Sequence, residues 1–296
     1  MGISPHPFSL ADEGRFIVEH LGGRWSRAGG MCRCPAHADR SPSLSVRVGT
    51  TRLLLHCFAG CAAPDILREL RRLGLLSGRP PAHGHANDFA GHAKDFARAA
   101  TRVWRDARII AGTPAERYLL SRAITLPSPE LRYHPRVPHG PKPFTQFRPA
   151  LVAAVRDDTG LVGVHRTFLD RRTGRLAQLP EPKLGLGRFG GGAVRLGGSG
   201  PRLGLAEGLE TALSAAMLFG VPCWATLGTE RFRHVRLPDE VEELMLFLDH
   251  DAGGRRAERL ARDAHAAIPV ITTHFPLRWG WDWNDALRAS AQAKAA

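Results

Sequence analysis

From residue 200 onward, short apolar runs alternate with longer amphipathic ones. "PRLGLAEG", "VPCWATLG", "ELMLFLDHD" and "PVITTHFPL" have the length and continuity of strands buried on both faces, and "LETALSAAMLF" and "GRRAERLARDAHAAI" between them carry helical spacing. This alternation predicts a parallel sheet with right-handed crossovers, whose working groups stand at the carboxyl ends of the strands. Near the other end, Ser9 followed by "LADEGRFIVEHLGG" reads as an N-capped amphipathic helix stopped by Gly22-Gly23. "SLSVRV", the turn "GTT" and "RLLLHC" form a predicted hairpin, and "PDILRELRRLGLL" a helix with Pro64 near its start.

The middle of the chain is more mixed. "ATRVWRDARIIAG" and "PAERYLLSRAI" read as helices, and "PALVAAVRD", "LVGVHRTFLD" and the glycine-rich "PKLGLGRFGGGAVRL" as strands broken by turns. Between the first unit and this one lies "GRPPAHGHANDFA", rich in Pro, Gly, His and Ala and without apolar periodicity, the character of a linker. "HANDFAG" is echoed by "HAKDFAR", but two copies make no repeat architecture, and His83, His85 and His92 read more simply as solvated linker than as a metal site. The expected organisation is a small unit over 1–78, a linker over 79–98, a mixed α+β unit over 99–199 and an α/β parallel-sheet unit over 200–296.

Composition narrows the function classes. With 296 residues and 43% hydrophobic content the chain fills several compact cores. No apolar run approaches the roughly 20 residues that span a bilayer, and the first residues lack the layout of a secretory signal, so a cytoplasmic protein is expected. The formal charge of +13 points to a polyanionic partner. Lysine occurs only at Lys94, Lys142, Lys183 and Lys294, so the positive charge is nearly all arginine, which pairs bidentately with phosphate.

In a reducing compartment, clustered cysteines hold metal more often than disulfides. Cys34-x-x-His37 and Cys57-x-x-x-Cys61 flank the predicted hairpin, the paired spacing that supplies a tetrahedral zinc site. Cys32 is placed outside the set because the Cys-x-x-His spacing starts at Cys34, and Cys223 reads as a buried thiol on a strand. Four protein ligands leave no open position, so this metal is structural and the chemistry lies elsewhere.

The acids supply that chemistry. Glu207 follows the first strand of the last unit, Asp249 and Asp251 follow the third, and Asp282 and Asp285 follow the fourth. Residues i and i+2 on a strand project from one face, so Asp249 and Asp251 can share a divalent ion. Hard oxygen donors at this density suit Mg²⁺ or Mn²⁺. Asp251 and Asp285 also stand where helix caps stand, and capping alone would explain either one singly.

Together, "CPAH…PSLSV…LLHCFAGC" resembles the zinc ribbon of bacterial DnaG-type DNA primases, and "LAEGLETALS…FLDHDAGGRRA…WDWND" resembles a Toprim domain. The mobile-element and phage-associated Toprim primases are the nearest pattern. The resemblance implies that Glu207 is the Toprim glutamate, Asp249 and Asp251 the Asp-x-Asp pair, and Asp282, rather than Asp285, the later metal-binding acid. It also implies that "EPKLGLGRFGGG" is the basic segment near the catalytic centre, with Lys183 contacting nucleotide or template. The segment is no Walker A loop, because no Gly-Lys-Ser/Thr follows. Two departures stand out: the second zinc pair has three intervening residues in place of the usual two, and no helicase or helicase-docking segment follows the Toprim-like part.

The expected activity is synthesis of short RNA primers on single-stranded DNA from nucleoside triphosphates. Mg²⁺ or Mn²⁺ would be held by Asp249, Asp251 and Asp282, and Glu207 would serve as acid/base or further ligand. Arg166 and Lys183 are candidates for neutralising phosphate, Phe58 is a candidate for stacking on the template, and a separately encoded replicative helicase is a candidate partner. A Toprim nuclease could use the same acids, although the ribbon and middle unit argue against it. A topoisomerase would need its nucleophile from Tyr118 or Tyr133. A non-catalytic recombination mediator would have no use for clustered negative charge facing DNA.

Overall fold

A computed structural model of the chain describes residues 9–26, 29–39, 42–49, 52–76, 87–140, 145–179 and 181–295. It divides into two compact units, one of Met1–Asn87 with His139–Gln146, the other of Asp88–Pro138 with Phe147–Ala296.

In the first unit, helix α1 (Leu10–His20) begins where the Ser9 hydroxyl accepts a hydrogen bond from the Asp12 amide at 3.2 Å. Four antiparallel strands follow in the order β1 (Arg24–Ser26), β2 (Gly29–Cys32), β3 (Leu44–Val48) and β4 (Leu53–Cys57), and helix α2 (Ala63–Arg72) completes the unit. The expected hairpin is β3–β4, in register from Leu44 opposite Cys57 to Val48 opposite Leu53. β1 and β2 were not expected, since "RWS" and "GGMC" hold no β-branched residue. They form because Ile17 and Val18 of α1 need a sheet face to bury against, shared with Leu44, Val46, Ile66 and Leu70.

The second unit opens with α3 (Asn87–Arg105) and α4 (Pro114–Leu120). The start of α3 corrects the linker expectation: 87–98 are helical, while 77–86 lie outside the described residues, as do the side chains of His83, His85 and His92. The second copy of the echo, 92–98, lies within α3, and from Phe96 on Ala99, Ala100, Val103 and Trp104 keep one face apolar. An antiparallel sheet follows in the order β5 (Leu131–His139), β6 (Gln146–Asp157), β7 (Gly160–Phe168) and β8 (Lys183–Gly187). β5 escaped the sequence reading because Pro135 and Pro138 interrupt it; it lies at the sheet edge, where proline is tolerated.

Strand β9 (Val194–Leu196) leaves this sheet and pairs antiparallel with β11 (Cys223–Ala225) of the next, although it was expected within the middle unit. The second sheet runs β13–β12–β10–β11–β9, with β10 (Arg202–Ala206), β11, β12 (Glu243–Phe247) and β13 (Val270–His274) all parallel. Helices α5 (Leu209–Phe219), α6 (Ala252–Ala264) and α7 (Trp283–Ala295) connect or follow these strands. β10, β11 and β12 are buried along most of their length, whereas β13, expected as a buried strand, lies at the sheet edge and is only half-buried, with Val270 exposed. Leu203, Leu205, Leu244 and Leu246 meet Ala257 and Ala261 of α6 on one side, whereas Ala206, Met245 and Phe247 meet Leu209, Leu213 and Trp283 on the other. Such continuous burial is what made these strands legible as unbroken apolar runs.

The chain runs from β10 to β11 on one side, then returns to β12 on the other. This reversal opens a crevice at the carboxyl ends of β10 and β12, the position where ligands bind in open α/β sheets. No helix among the described residues is long and apolar enough to cross a membrane.

Candidate metal centres

At the crevice, Ala206 pairs with Phe247, so Glu207 leaves β10 beside the segment that carries Asp249 out of β12. Asp249 is the focus of the charge. Burial pushes its carboxyl up to about 7, and the neighbouring carboxylates of Glu207, Asp282 and Asp251 push the same way against a hydrogen bond from Thr211. Its Oδ1 is buried without a hydrogen-bond partner among the described residues. An orphaned carboxylate oxygen within a group of carboxylates fits a cation.

The surrounding structure holds each acid in place. Asp251 caps α6 by accepting from the Gly254 amide at 2.8 Å, and a Cβ on Gly254 would come within 2.0 Å of the Asp249 carbonyl oxygen, so only glycine lets the helix approach so closely. Asp282 and Asp285 form a reciprocal box at the start of α7. The Asp285 amide donates to Asp282 Oδ1 at 2.8 Å and the Asp282 amide to Asp285 Oδ2 at 3.3 Å. Of these two, Asp282 acts on Asp249. Glu207 Oε2 accepts from the Thr229 hydroxyl at 3.0 Å, and its carbonyl accepts from the Leu227 amide. Leu227 has φ of 67°, a strained value for a leucine, and the turn it makes delivers Thr229 to the site.

Glu210, the second residue of α5, stands three residues beyond Glu207. It is 5% exposed, accepts from the Tyr118 hydroxyl at 2.7 Å and pairs with Lys183 Nζ at 2.9 Å. Burial opposes its ionisation, but the Lys183 charge and the hydrogen bonds from Lys183 and Tyr118 outweigh burial and hold the carboxyl down at about 2. The sequence signal was "EGLE": a second acid stands in the first turn of the helix that follows Glu207.

Arg166 is not available to phosphate, which corrects the sequence expectation. It is 8% exposed, and its guanidinium donates to the carbonyls of Pro138, Gly185 and Leu184 at 2.9, 2.8 and 3.3 Å. It braces the sheet edge, and a planar fork of donors suits that task. Arg231 braces the other joint, donating to the carbonyls of Thr226, Gly190 and Gly192. The "FGGG" segment thus supplies acceptors for a buried arginine. The tyrosines offer no exposed nucleophile: Tyr118 and Tyr133 are buried.

In the first unit, ligand atoms of Cys34, His37, Cys57 and Cys61 all lie within 4.8 Å of one another. His37 Nδ1 is 3.2 Å from Cys61 Sγ and 3.9 Å from Cys57 Sγ. Its Nε2 faces Asp39 Oδ1 at 3.6 Å and Ser43 Oγ at 3.5 Å, the outer partners that orient an imidazole toward a metal. Hydrogen bonds among the thiols drive Cys57 down and Cys34 up, which makes the ligand positions one proton-sharing cluster. The donor set fits structural zinc. Cys32 stands apart: burial pushes its thiol up to about 12, and it faces the Leu44 carbonyl at 3.7 Å.

Comparison with known proteins agrees with this geometry at the carboxyl end. The Toprim domain family matches residues 202–293. Residues 202–293 are a Toprim domain. A domain family of unknown function, DUF7146, matches residues 94–196. No curated protein matches the chain. Among solved structures, the zinc-binding and RNA polymerase domains of the Aquifex aeolicus primase are 16% identical with a TM-score of 0.47, covering 97% of this chain and 84% of that one. A DnaG primase catalytic domain bound to single-stranded DNA is 16% identical with a TM-score of 0.47, covering 71% of this chain and 81% of that one. The primase fragment of the bacteriophage T7 primase-helicase protein is 14% identical with a TM-score of 0.37, covering 88% and 94%.

Two predictions follow from the two centres. Cys57→Ser should reduce zinc well below one ion per chain by metal analysis, whereas Cys32→Ser should keep it. The second concerns pH. Because the Asp249 carboxyl is raised, its contribution to stability in magnesium-free buffer is fully present below about pH 4 and is lost as pH rises through about 7. Asp249→Asn should then be more stable than wild type at pH 8, on the order of 2–4 kcal/mol, and lose most of that advantage at pH 5, as read by denaturant unfolding.

Proposed function

We propose that the chain is a DNA primase, joining nucleoside triphosphates into short RNA primers on single-stranded DNA. The observation that carries this reading is the convergence of Glu207, Asp251 and Asp282 on the buried Asp249 at the switch point of a Toprim sheet. Asp249, Asp251 and Asp282 would hold a divalent cation, Mg²⁺ or Mn²⁺. When bound, that ion supplies Lewis-acid stabilisation of phosphate charge and lowers the pKa of the attacking hydroxyl.

The protein's own groups do the rest. Glu207, steadied by Thr229, would take the proton of the attacking 3′-hydroxyl or complete the ligand set. Lys183, aimed by Glu210, would meet the triphosphate of the incoming nucleotide, and this pairing restrains a side chain that is otherwise long and mobile. In this reading residues 1–78 bind DNA through arginine charge and the ring of Phe58, 99–199 form the amino-terminal part of the polymerase core, and 200–296 hold the chemistry. Its substrates place the reaction in the cytoplasm, and a separately encoded helicase would bring the protein to a fork.

The test is incorporation of labelled nucleotides on single-stranded DNA with Mg²⁺, beside binding titrations without metal. Asp249→Asn and Asp251→Asn should each abolish incorporation, and Glu207→Gln should reduce it by about 10²-fold or more. DNA binding without metal should stay unchanged or tighten slightly, since each substitution removes a negative charge near phosphate. Wild-type rates in both aspartate variants would remove the Toprim acids from the chemistry. Metal-dependent cleavage in place of synthesis would turn the same acids to hydrolysis.

A further inference from the structure

The segment that follows β13, "FPLRWGWDW", carries more than its acids. It presents two large apolar side chains to solvent: Leu277 is 98% exposed and Trp279 66%. Leaving a tryptophan in water forfeits the burial that usually keeps this residue inside. Nor is the loop a loose one. The Gly280 amide donates to the His250 carbonyl at 2.8 Å and the His250 amide to the Trp281 carbonyl at 2.9 Å. The His250 ring donates from Nδ1 to the Pro276 carbonyl at 2.7 Å. His250 stands between Asp249 and Asp251, so the loop is pinned to the same segment as the acid centre.

The rings form a continuous column. The Arg255 guanidinium lies over Phe275 with its carbon 4.3 Å from the ring centroid, Phe275 is 5.4 Å from His250, and His250 is 5.3 Å edge-on to Trp279. The column ends at Trp279, whose ring is largely open to solvent. Arg278 flanks it, lying over Trp281 at 4.8 Å. Such an arrangement of an exposed ring, a cation and nearby acids selects its ligand. Free carboxylates repel phosphate, so a nucleic acid strand approaching here is best met through a base face, with Arg278 facing its backbone.

We propose that Trp279 is a stacking platform for a base of single-stranded DNA, set beside the acid centre by His250. The proposal rests on the reading of this chain as one that acts on single-stranded DNA. A base stacked on a rigid ring next to the acids would be held at a fixed distance from them, which gives the exposed tryptophan a function and its anchoring a reason.

The experiment compares the full-length wild-type chain with Trp279→Ala and Trp279→Phe in binding to an oligo-dT strand and to an abasic strand of equal length, at one salt concentration. Stacking predicts that Trp279→Ala weakens oligo-dT binding by about tenfold, leaves abasic binding unchanged, and that Trp279→Phe retains most of the affinity. Equal oligo-dT affinity in wild type and Trp279→Ala overturns the platform, and so does an equal loss on both strands. A loss confined to free thymidine triphosphate would also overturn it, assigning the ring to the incoming nucleotide. Primer synthesis by the wild type, run in parallel, keeps the two readings apart. Selective loss of oligo-dT binding without synthesis leaves the platform standing and the polymerase reading fallen; synthesis with no change in Trp279→Ala does the reverse.

Discussion

The structure of the second unit is organised around a charge that it destabilises: the Asp249 carboxyl, buried and surrounded by three further carboxylates. Each like charge near a buried acid raises the free energy of the ionised form, so a metal-free chain relieves the site by protonation. Nothing in the packing of the sheet requires this. Leu203, Leu205, Leu244 and Leu246 would bury equally well with neutral residues beyond the strand ends. The acids are therefore best understood through what they attract.

The same constraint accounts for the rigid surroundings. Clustered carboxylates drift apart unless they are held, and here the three around Asp249 are tied: Asp251 by the α6 amide, Asp282 by its box with Asp285, and Glu207 by Thr229 and the strained turn at Leu227. The residues of 94–196 join in through buried polar contacts. Tyr118 and Lys183 converge on Glu210, and Asn284 accepts from Arg122 while donating to its carbonyl and to Ser214. Leaving such groups unpaired costs several kcal/mol, so these contacts fix one arrangement of α4 against α5 and α7.

What was legible in the sequence follows from how local each signal was. β10, β11 and β12 announced themselves because strands buried on both faces are apolar nearly without interruption, and β13, half-buried at the sheet edge, showed through its β-branched residues. The zinc cluster was legible from spacing alone, since a hairpin brings two close-set pairs together. Three things were hidden. β5 carries prolines that only its edge position excuses, and β9 changes sheets, which no local pattern encodes. Arg166 looked like a phosphate ligand because its residue type suits phosphate, but its acceptors are backbone carbonyls of Pro138, Leu184 and Gly185 on β5 and β8, which a local pattern does not bring together. Glu210 is hidden for the opposite reason: it stands beside Glu207 in sequence, and only the approach of Tyr118 and Lys183 distinguishes it.

The central claim is that the four carboxylates form one cation site. Titration of the zinc-loaded chain with Mn²⁺, followed by the loss of the free-ion electron paramagnetic resonance signal, tests it directly. The account predicts saturable binding that releases protons near pH 7, as the ion displaces the proton from Asp249, and that weakens at least tenfold in Asp249→Asn. Absence of saturable binding, or equal binding in wild type and Asp249→Asn, would contradict it.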